Sequence, residues 1–127
     1  MPVKYQIFPE KKLVIVSYSA ELTLQEILAA RKKGAADPDF DPAYNVIDDI
    51  SAVKSSTISF DDIAGISGSS VANKGVKRAL FVATDLQKGM AHMYKVLSEA
   101  SGHDFRIFTD YDQACEWVKQ AATDEKG

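Results

Sequence analysis

An α/β fold with a mixed sheet is predicted by three features of this 127-residue sequence. Two β-rich runs follow one another at the start, helical and β-type apolar spacings alternate afterwards, and helix-capping residues stand where the spacing changes. The order that results is ββαβαβαβ followed by α. It implies an antiparallel pair at the start and then parallel strands joined by helices that cross right-handed.

Val3 to Phe8 and Leu13 to Tyr18 are the opening runs, and Pro9 to Lys12 between them suits a hairpin. Thr23 and Glu26 form a capping box, with Leu22 and Ile27 placed as a hydrophobic staple. They predict a helix from Leu24 to about Ala35. Its apolar face is Leu24, Ile27, Leu28 and the methylenes of Arg31, with Gln25, Lys32 and Lys33 toward water. Pro38 and Pro42 end it by pushing Asp37 and Asp41 out of helical geometry.

Tyr44 to Ile50 is the next strand, carrying Asp48 and Asp49 near its end. Ser59, with Asp62 as its capping partner, opens a second helix in which Phe60, Ile63, Ala64 and Val71 face the core, weakened by Gly65 and Gly68. The Ser, Gly, Asn and Lys rich segment from Gly68 to Lys77 reads as a loop. The stretch from Arg78 to Leu97 is then one strand feeding one helix: Ala79 to Ala83 is an apolar run, and Met90, Met93, Tyr94 and Leu97 recur at helical spacing. Gly102 closes that helix. Phe105 to Phe108 is a compact strand, and a last helix starts at Thr109 or Asp110 with Ala114, Trp117, Val118 and Ala121 inward.

Length suits a single domain, residues 1–122, with a frayed tail at 123–127. With 46% hydrophobic residues, 26% charged and a net charge of -3, the composition is that of a globular protein. A pI near 5.3 argues against nucleic acid or an anionic membrane as the main partner, since both call for a basic surface. Cys115 stands alone, which suits a reducing cytosol, and neither an export signal nor a membrane span is present; a cytoplasmic protein is expected.

Four segments carry a resemblance. Tyr5 to Glu10 reads Tyr-x-Ile-x-Pro-Glu, Ala36 to Pro42 is the turn ADPDFDP, Lys88 to Tyr94 reads Lys-Gly-Met-Ala-x-Met-Tyr, and Phe108 to Trp117 reads Phe-x-Asp-x-Asp-x-Ala-x-x-Trp. Together they resemble the SpoIIAA-like, or STAS-like, family of small bacterial proteins across nearly the whole chain. The resemblance implies the mixed sheet of anti-sigma-factor antagonists with helices packed on it, and no established reaction. Relatives carry an Asp-Ser-Ser-Gly segment whose Ser is phosphorylated. Lys54 to Asp62 reads KSSTISFDD instead, so Ser59 is a positional counterpart whose plain role is an N-cap, with Asp61 and Asp62 set to repel a phosphate.

Chemistry-bearing residues are sparse. Asp37, Asp39 and Asp41 imitate the start of a calcium loop, but Pro42 stands where that loop needs Gly, so they read as turn carboxylates. Adjacent Asp48 and Asp49 point to opposite faces of their strand, so at most one faces a pocket; otherwise they are solvated or capping carboxylates. His92 falls on the polar side of its helix and His103 in a turn, which leaves no metal-ligand spacing, and no cofactor is expected. GISGSSVANKG matches no phosphate-loop pattern. Lys74, Lys77 and Arg78 form a small basic cluster read as a solubility feature or an anion contact. Met90, Met93 and Tyr94 fill the core or, since Met adapts to irregular surfaces, line a groove or subunit contact.

The expectation is a non-enzymatic STAS-like domain that acts by protein contacts or by binding a small apolar or anionic ligand, as a homodimer. Its candidate surface comprises Asp49, Ser59, Met90, Met93 and Tyr94. One alternative is an enzyme using Asp49 or His92 for acid or base chemistry at the strand ends. Another is a lipid carrier, which needs a closed apolar cavity of several hundred Å3, about the size of ordinary ligand pockets.

Overall fold

The structure is a computed structural model that describes residues 3–68, 75–97 and 102–120. Its elements are β1 (Val3–Phe8), β2 (Leu13–Leu22), α1 (Leu24–Ala35), β3 (Asn45–Ser56), α2 (Phe60–Gly68), β4 (Lys77–Phe81), α3 (Asp85–Leu97), β5 (Asp104–Phe108) and α4 (Tyr111–Lys119). The strands form a five-stranded sheet in the order β1-β2-β3-β4-β5. β1 and β2 are antiparallel and the other neighbours parallel, as the sequence order predicts.

Local chemistry accounts for the joints. A short 3-10 turn, Pro9–Lys11, closes the hairpin, and Lys12 adopts the left-handed conformation (φ 52°) while its N–H donates to the Pro9 carbonyl at 3.1 Å. Thr23 caps α1 through a complete capping box with Glu26. Ser59 and Asp62 do the same for α2: the Ser59 hydroxyl accepts from Asp62 N–H, and Asp62 Oδ2 accepts from Ser59 N–H, both at 3.1 Å. Asp37 and Asp41 are the turn carboxylates expected, each accepting from the backbone N–H two residues on.

Three helices, α1, α2 and α3, cover one face of the sheet, and α4 covers the other. The first face buries Val14, Val16, Val46, Leu80 and Phe105 under Ile27, Ile66 and Ala91. The second buries Leu13, Ile47 and Ala79 under Ala114, Trp117 and Val118. Along β3 the alternation of strand side chains sends Ile47 to the α4 face and Asp48 to the other.

Several expectations need correction. β2 and β3 run on to Leu22 and Ser56, well past Tyr18 and Ile50. Their polar outer ends pair with each other, Ser19 with Ala52 through Leu22 with Ser56, so neighbour pairing rather than apolar alternation makes them strands. One register shift opens this stretch, between Ser17 and Ser19, and another lies within it, between Ala20 and Glu21, where Ala20 takes a left-handed φ of 56°. On α1, Leu28 is 41% exposed while Arg31 is buried with its charged end. On α2, Ile66 is buried and Ala64 exposed. β4 takes in Lys77, the last residue of the segment read as a loop, and ends at Phe81, before the apolar run does at Ala83. Gly102 has the left-handed φ (80°) expected of a helix-closing glycine, but the residues between it and α3 lie outside the described ones. So do Val71, Lys74, Ala121, the tail at 123–127 and most of the segment read as a loop.

Candidate functional site

The long outer halves of β2 and β3 reach beyond the short β4, and α2 and α3 lean over them. Between helices and sheet lies a cavity of about 380 Å3. Its walls are apolar: Leu22, Ile27, Ile50, Ile58, Ile63, Ile66, Leu80, Met90, Ala91 and Met93. Its rim carries Leu86, Lys54, Ser55 and Ser56. At its inner end stand four polar residues, Tyr18, Arg31, Asp48 and Tyr94.

Register assembles that inner end. Asp48 pairs with Val16 on one side and Leu80 on the other, and Arg78 pairs with Val46, two residues before Asp48 on the same face. The diagonal places the guanidinium against the carboxylate: Arg78 Nε donates to Asp48 Oδ2 at 3.0 Å and Nη2 to Oδ1 at 2.9 Å. The Tyr18 hydroxyl donates to Asp48 Oδ1 at 3.0 Å. Both carboxylate oxygens are thus engaged, which is what a buried charge requires. Burial by itself would lower the Arg78 pKa, but the Asp48 charge and hydrogen bonds hold it above the ordinary arginine value. Burial raises the Tyr18 pKa well above the usual 10.0, and the Asp48 charge adds to it. Burial likewise raises Tyr5, which stands beside this cluster.

Arg31 reaches the same place from α1. It occupies the position four residues after Ile27, on the helix face that packs inward, and is only 8% exposed. Its guanidinium donates to the Ile66 carbonyl and, through Nη2, to the Tyr94 hydroxyl at 3.0 Å. The Tyr94 ring packs edge-on against Phe105, with centroids 5.4 Å apart.

Gln87 holds the outer wall. Its Oε1 accepts from the N–H groups of Ala83 (2.7 Å) and Thr84 (3.1 Å), and its Nε2 donates to the carbonyls of Ser51 (3.0 Å) and Val53 (2.9 Å). This side chain pins the start of α3 to the extension of β3. Thr84 Oγ1 accepts from Gln87 N–H, so Thr-x-x-Gln is a capping box that sequence reasoning passed over although the pattern is plain.

The candidate residues therefore divide. Met90, Met93 and Tyr94 come together along the cavity. Ser59 is an exposed cap, outside the cavity lining. Asp49 points to the α4 face, where its Oδ1 accepts from the Ser51 N–H and hydroxyl and its charge acts on Tyr111. Its neighbour Asp48, read as a solvated or capping carboxylate, is the one that faces the cavity. His92 is exposed, as its helix position implied. Of the basic cluster, Arg78 is committed to Asp48 and Lys77 is buried on the other face beside Trp117, while Lys74 lies outside the described residues. Among the described residues no group of three His, Cys, Asp or Glu could hold a metal, and no helix is long and apolar enough to cross a membrane.

No protein-family model matches the sequence, and no curated protein matches it. Solved structures do. An uncharacterized protein of the DUF3478 family with a SpoIIAA-like fold, from Shewanella loihica PV-4, is similar with a TM-score of 0.60 and 15% identity over 91% of each chain. An anti-sigma factor antagonist from Mycobacterium paratuberculosis is similar with a TM-score of 0.57 and 17% identity, over 93% of this chain and 95% of that one. At these identities the likeness establishes the fold. The chain has the SpoIIAA-like architecture that its four segments resembled.

Proposed function

We propose that this SpoIIAA-like domain is a non-enzymatic binding protein that takes one small, largely apolar ligand into the cavity under α2 and α3. The observation that carries the reading is the cavity itself, about 380 Å3 with aliphatic and methionine walls and a few convergent polar groups at one end. That size and lining are those of ligand pockets generally. Apolar walls left facing an open cleft of this volume are a standing cost to stability unless something covers them. The enzyme alternative lacks support from its own residues, because Asp49 and His92 stand apart from the cavity and from each other.

The test uses N-phenyl-1-naphthylamine, a neutral dye that fluoresces in apolar surroundings. Saturable enhancement at one dye per chain is expected. Ala91 is buried and lines the cavity, so Ala91→Phe places a ring in it and should abolish the enhancement while circular dichroism stays native. Dye binding that never saturates, or that survives Ala91→Phe, would defeat the reading.

Exposed apolar side chains on α3, Leu86 at 59% and Val96 at 65%, support a second reading in which the same helix meets another protein or a second copy of the chain in a two-fold dimer. The anti-sigma factor antagonist among the similar structures is in keeping with protein contacts. Sedimentation equilibrium across a hundredfold concentration range, about the span that separates weak from stable dimers, would reveal a dimer.

A further inference from the structure

Resting on the cavity reading, we infer that the ligand carries an uncharged carbonyl oxygen at one end of an apolar body, as a ketone or ester does. That end enters first and accepts a hydrogen bond from the Tyr94 hydroxyl, which selects for it.

The ionic groups at the inner end already have partners. Asp48 accepts twice from Arg78 and once from Tyr18. Arg78 is held by that same carboxylate, and Arg31 has the Ile66 carbonyl and the Tyr94 hydroxyl among its partners. A charged head brought here would have to shed its water and displace one of these bonds, whereas a neutral group fits beside them.

Donor chemistry narrows the neutral group. The Tyr18 hydrogen goes to Asp48. The Tyr94 oxygen accepts from Arg31, and among the described residues its own hydrogen has no acceptor. That hydroxyl is left to donate, and accepting from a cation strengthens it as a donor, since hydrogen bonds in a chain reinforce one another in a low dielectric. A carbonyl oxygen receives such a hydrogen and brings none of its own. An alcohol would bring one, while both oxygens of the carboxylate facing this end are engaged. A buried hydroxyl hydrogen without an acceptor is costly.

Orientation follows from where Tyr94 stands. It shares the inner end with buried Tyr18 and Asp48, whereas Leu86 at the mouth is mostly exposed. A ligand entering apolar end first would lay hydrocarbon on the Tyr94 hydroxyl and leave its hydrogen unpaired. Entering carbonyl first, it meets that hydrogen and leaves its body along Met90 and Met93 toward the mouth. The rim offers a reverse arrangement, a carboxylate held in water beside exposed Lys54, and experiment separates the two.

Valerophenone, its hydrocarbon counterpart pentylbenzene, 1-phenyl-1-pentanol, 5-phenylpentanoate and 5-phenylpentylammonium are each titrated at neutral pH against the protein preloaded with N-phenyl-1-naphthylamine. Valerophenone should displace the dye about fivefold better than pentylbenzene, the worth of one neutral hydrogen bond, and the alcohol and both ions should fall below the ketone. In Tyr94→Phe, valerophenone should drop to the level of pentylbenzene while pentylbenzene itself is unchanged. The infrared carbonyl stretch of bound valerophenone should lie below its value in hexane and rise in Tyr94→Phe, a readout of the bond itself that holds even where the variant loosens the chamber. Equal displacement by pentylbenzene, or a carbonyl stretch indifferent to Tyr94→Phe, overturns the inference while dye binding keeps the cavity reading alive. An alcohol or either ion that matches valerophenone overturns the uncharged carbonyl as the ligand's inner end. If the dye does not bind, the cavity reading fails and the inference with it.

Discussion

The two faces of the sheet solve different problems with much the same strands. On the α4 face, Leu13, Ile47 and Ala79 meet Ala114, Trp117 and Val118 in a closed apolar layer. The two cations there are spent on packing: Lys77 Nζ and the Arg106 guanidinium lie 5.3 and 5.1 Å from the Trp117 ring centroid, and Lys77 also donates to the carbonyls of Trp117 and Gln120 at the end of α4. The α1 to α3 face keeps a cavity and a buried Asp48–Arg78 pair. Buried ion pairs contribute little net stability compared with apolar packing. The contrast suggests a division of labour, with one face securing the fold and the other giving up packing for a binding chamber.

The largest expected effect breaks the first half of that contrast. Trp117→Ala should cost about 3–5 kcal/mol, the usual loss for a buried aromatic ring, read as the midpoint shift in urea. The fraction still folded should bind N-phenyl-1-naphthylamine unchanged, because the cavity is on the other side. A loss of affinity in that fraction would mean that the faces are coupled.

Arg78→Met tests the second half. Removing one partner of a buried pair strands Asp48 and should cost about 3–5 kcal/mol, whereas Asp48→Leu with Arg78→Met should recover most of it. Full recovery would show that the pair serves the chamber rather than the fold. A double variant as unstable as the single one would make the pair structural after all.

Tyr18 sharpens the same point through pH. Tyr18→Phe removes a hydrogen bond to a charged group, worth about 1.5–3 kcal/mol at neutral pH. Because burial raises the folded-state pKa above the usual 10.0, the unfolded chain ionises first as pH rises. The Tyr18 contribution is therefore fully present below about pH 10 and shrinks as pH climbs toward the folded value. Denaturation midpoints from pH 8 to 11 should fall more steeply for the native chain than for Tyr18→Phe, in which Tyr5 and Tyr111, both also raised by burial, still contribute slope; parallel curves would contradict this.

How much of this could be read from the sequence depends on which signals are local. Thr23 with Glu26 and Ser59 with Asp62 declared both helix starts, since a cap is written within four residues. The strand and helix order was equally legible from spacing. Arg31, Asp48 and Arg78 were not: a charged residue within an apolar face reads as a solvated one until its partner, 30 residues away in the case of Asp48 and Arg78, is placed beside it. Asp49 was favoured over Asp48 because alternation says only that the two differ, not which faces the helices. The extra length of β2 and β3 was hidden because each is a strand only by virtue of the other. That length makes the chamber, so the candidate site was the least legible part.

The smallest effect asks whether looseness on the cavity face is confined to the cavity. Gly34, near the end of α1, lies against the Tyr5 ring, and a Cβ placed on it would sit 2.6 Å from Cδ2 and 2.8 Å from Cε2. Both are ring carbons held by β1, not the free end of a flexible chain. Gly34→Ala gains about 1 kcal/mol of helix propensity but incurs overpacking of about 1–3 kcal/mol. If α1 is packed as tightly as the distances show, a net loss of about 1 kcal/mol is expected in the urea midpoint, with dye affinity unchanged. Net stabilisation would mean that α1 can ride outward at no cost. The whole three-helix face would then be loosely seated, and the chamber would be a product of that looseness instead of a shape held open by Gln87 and the paired ends of β2 and β3.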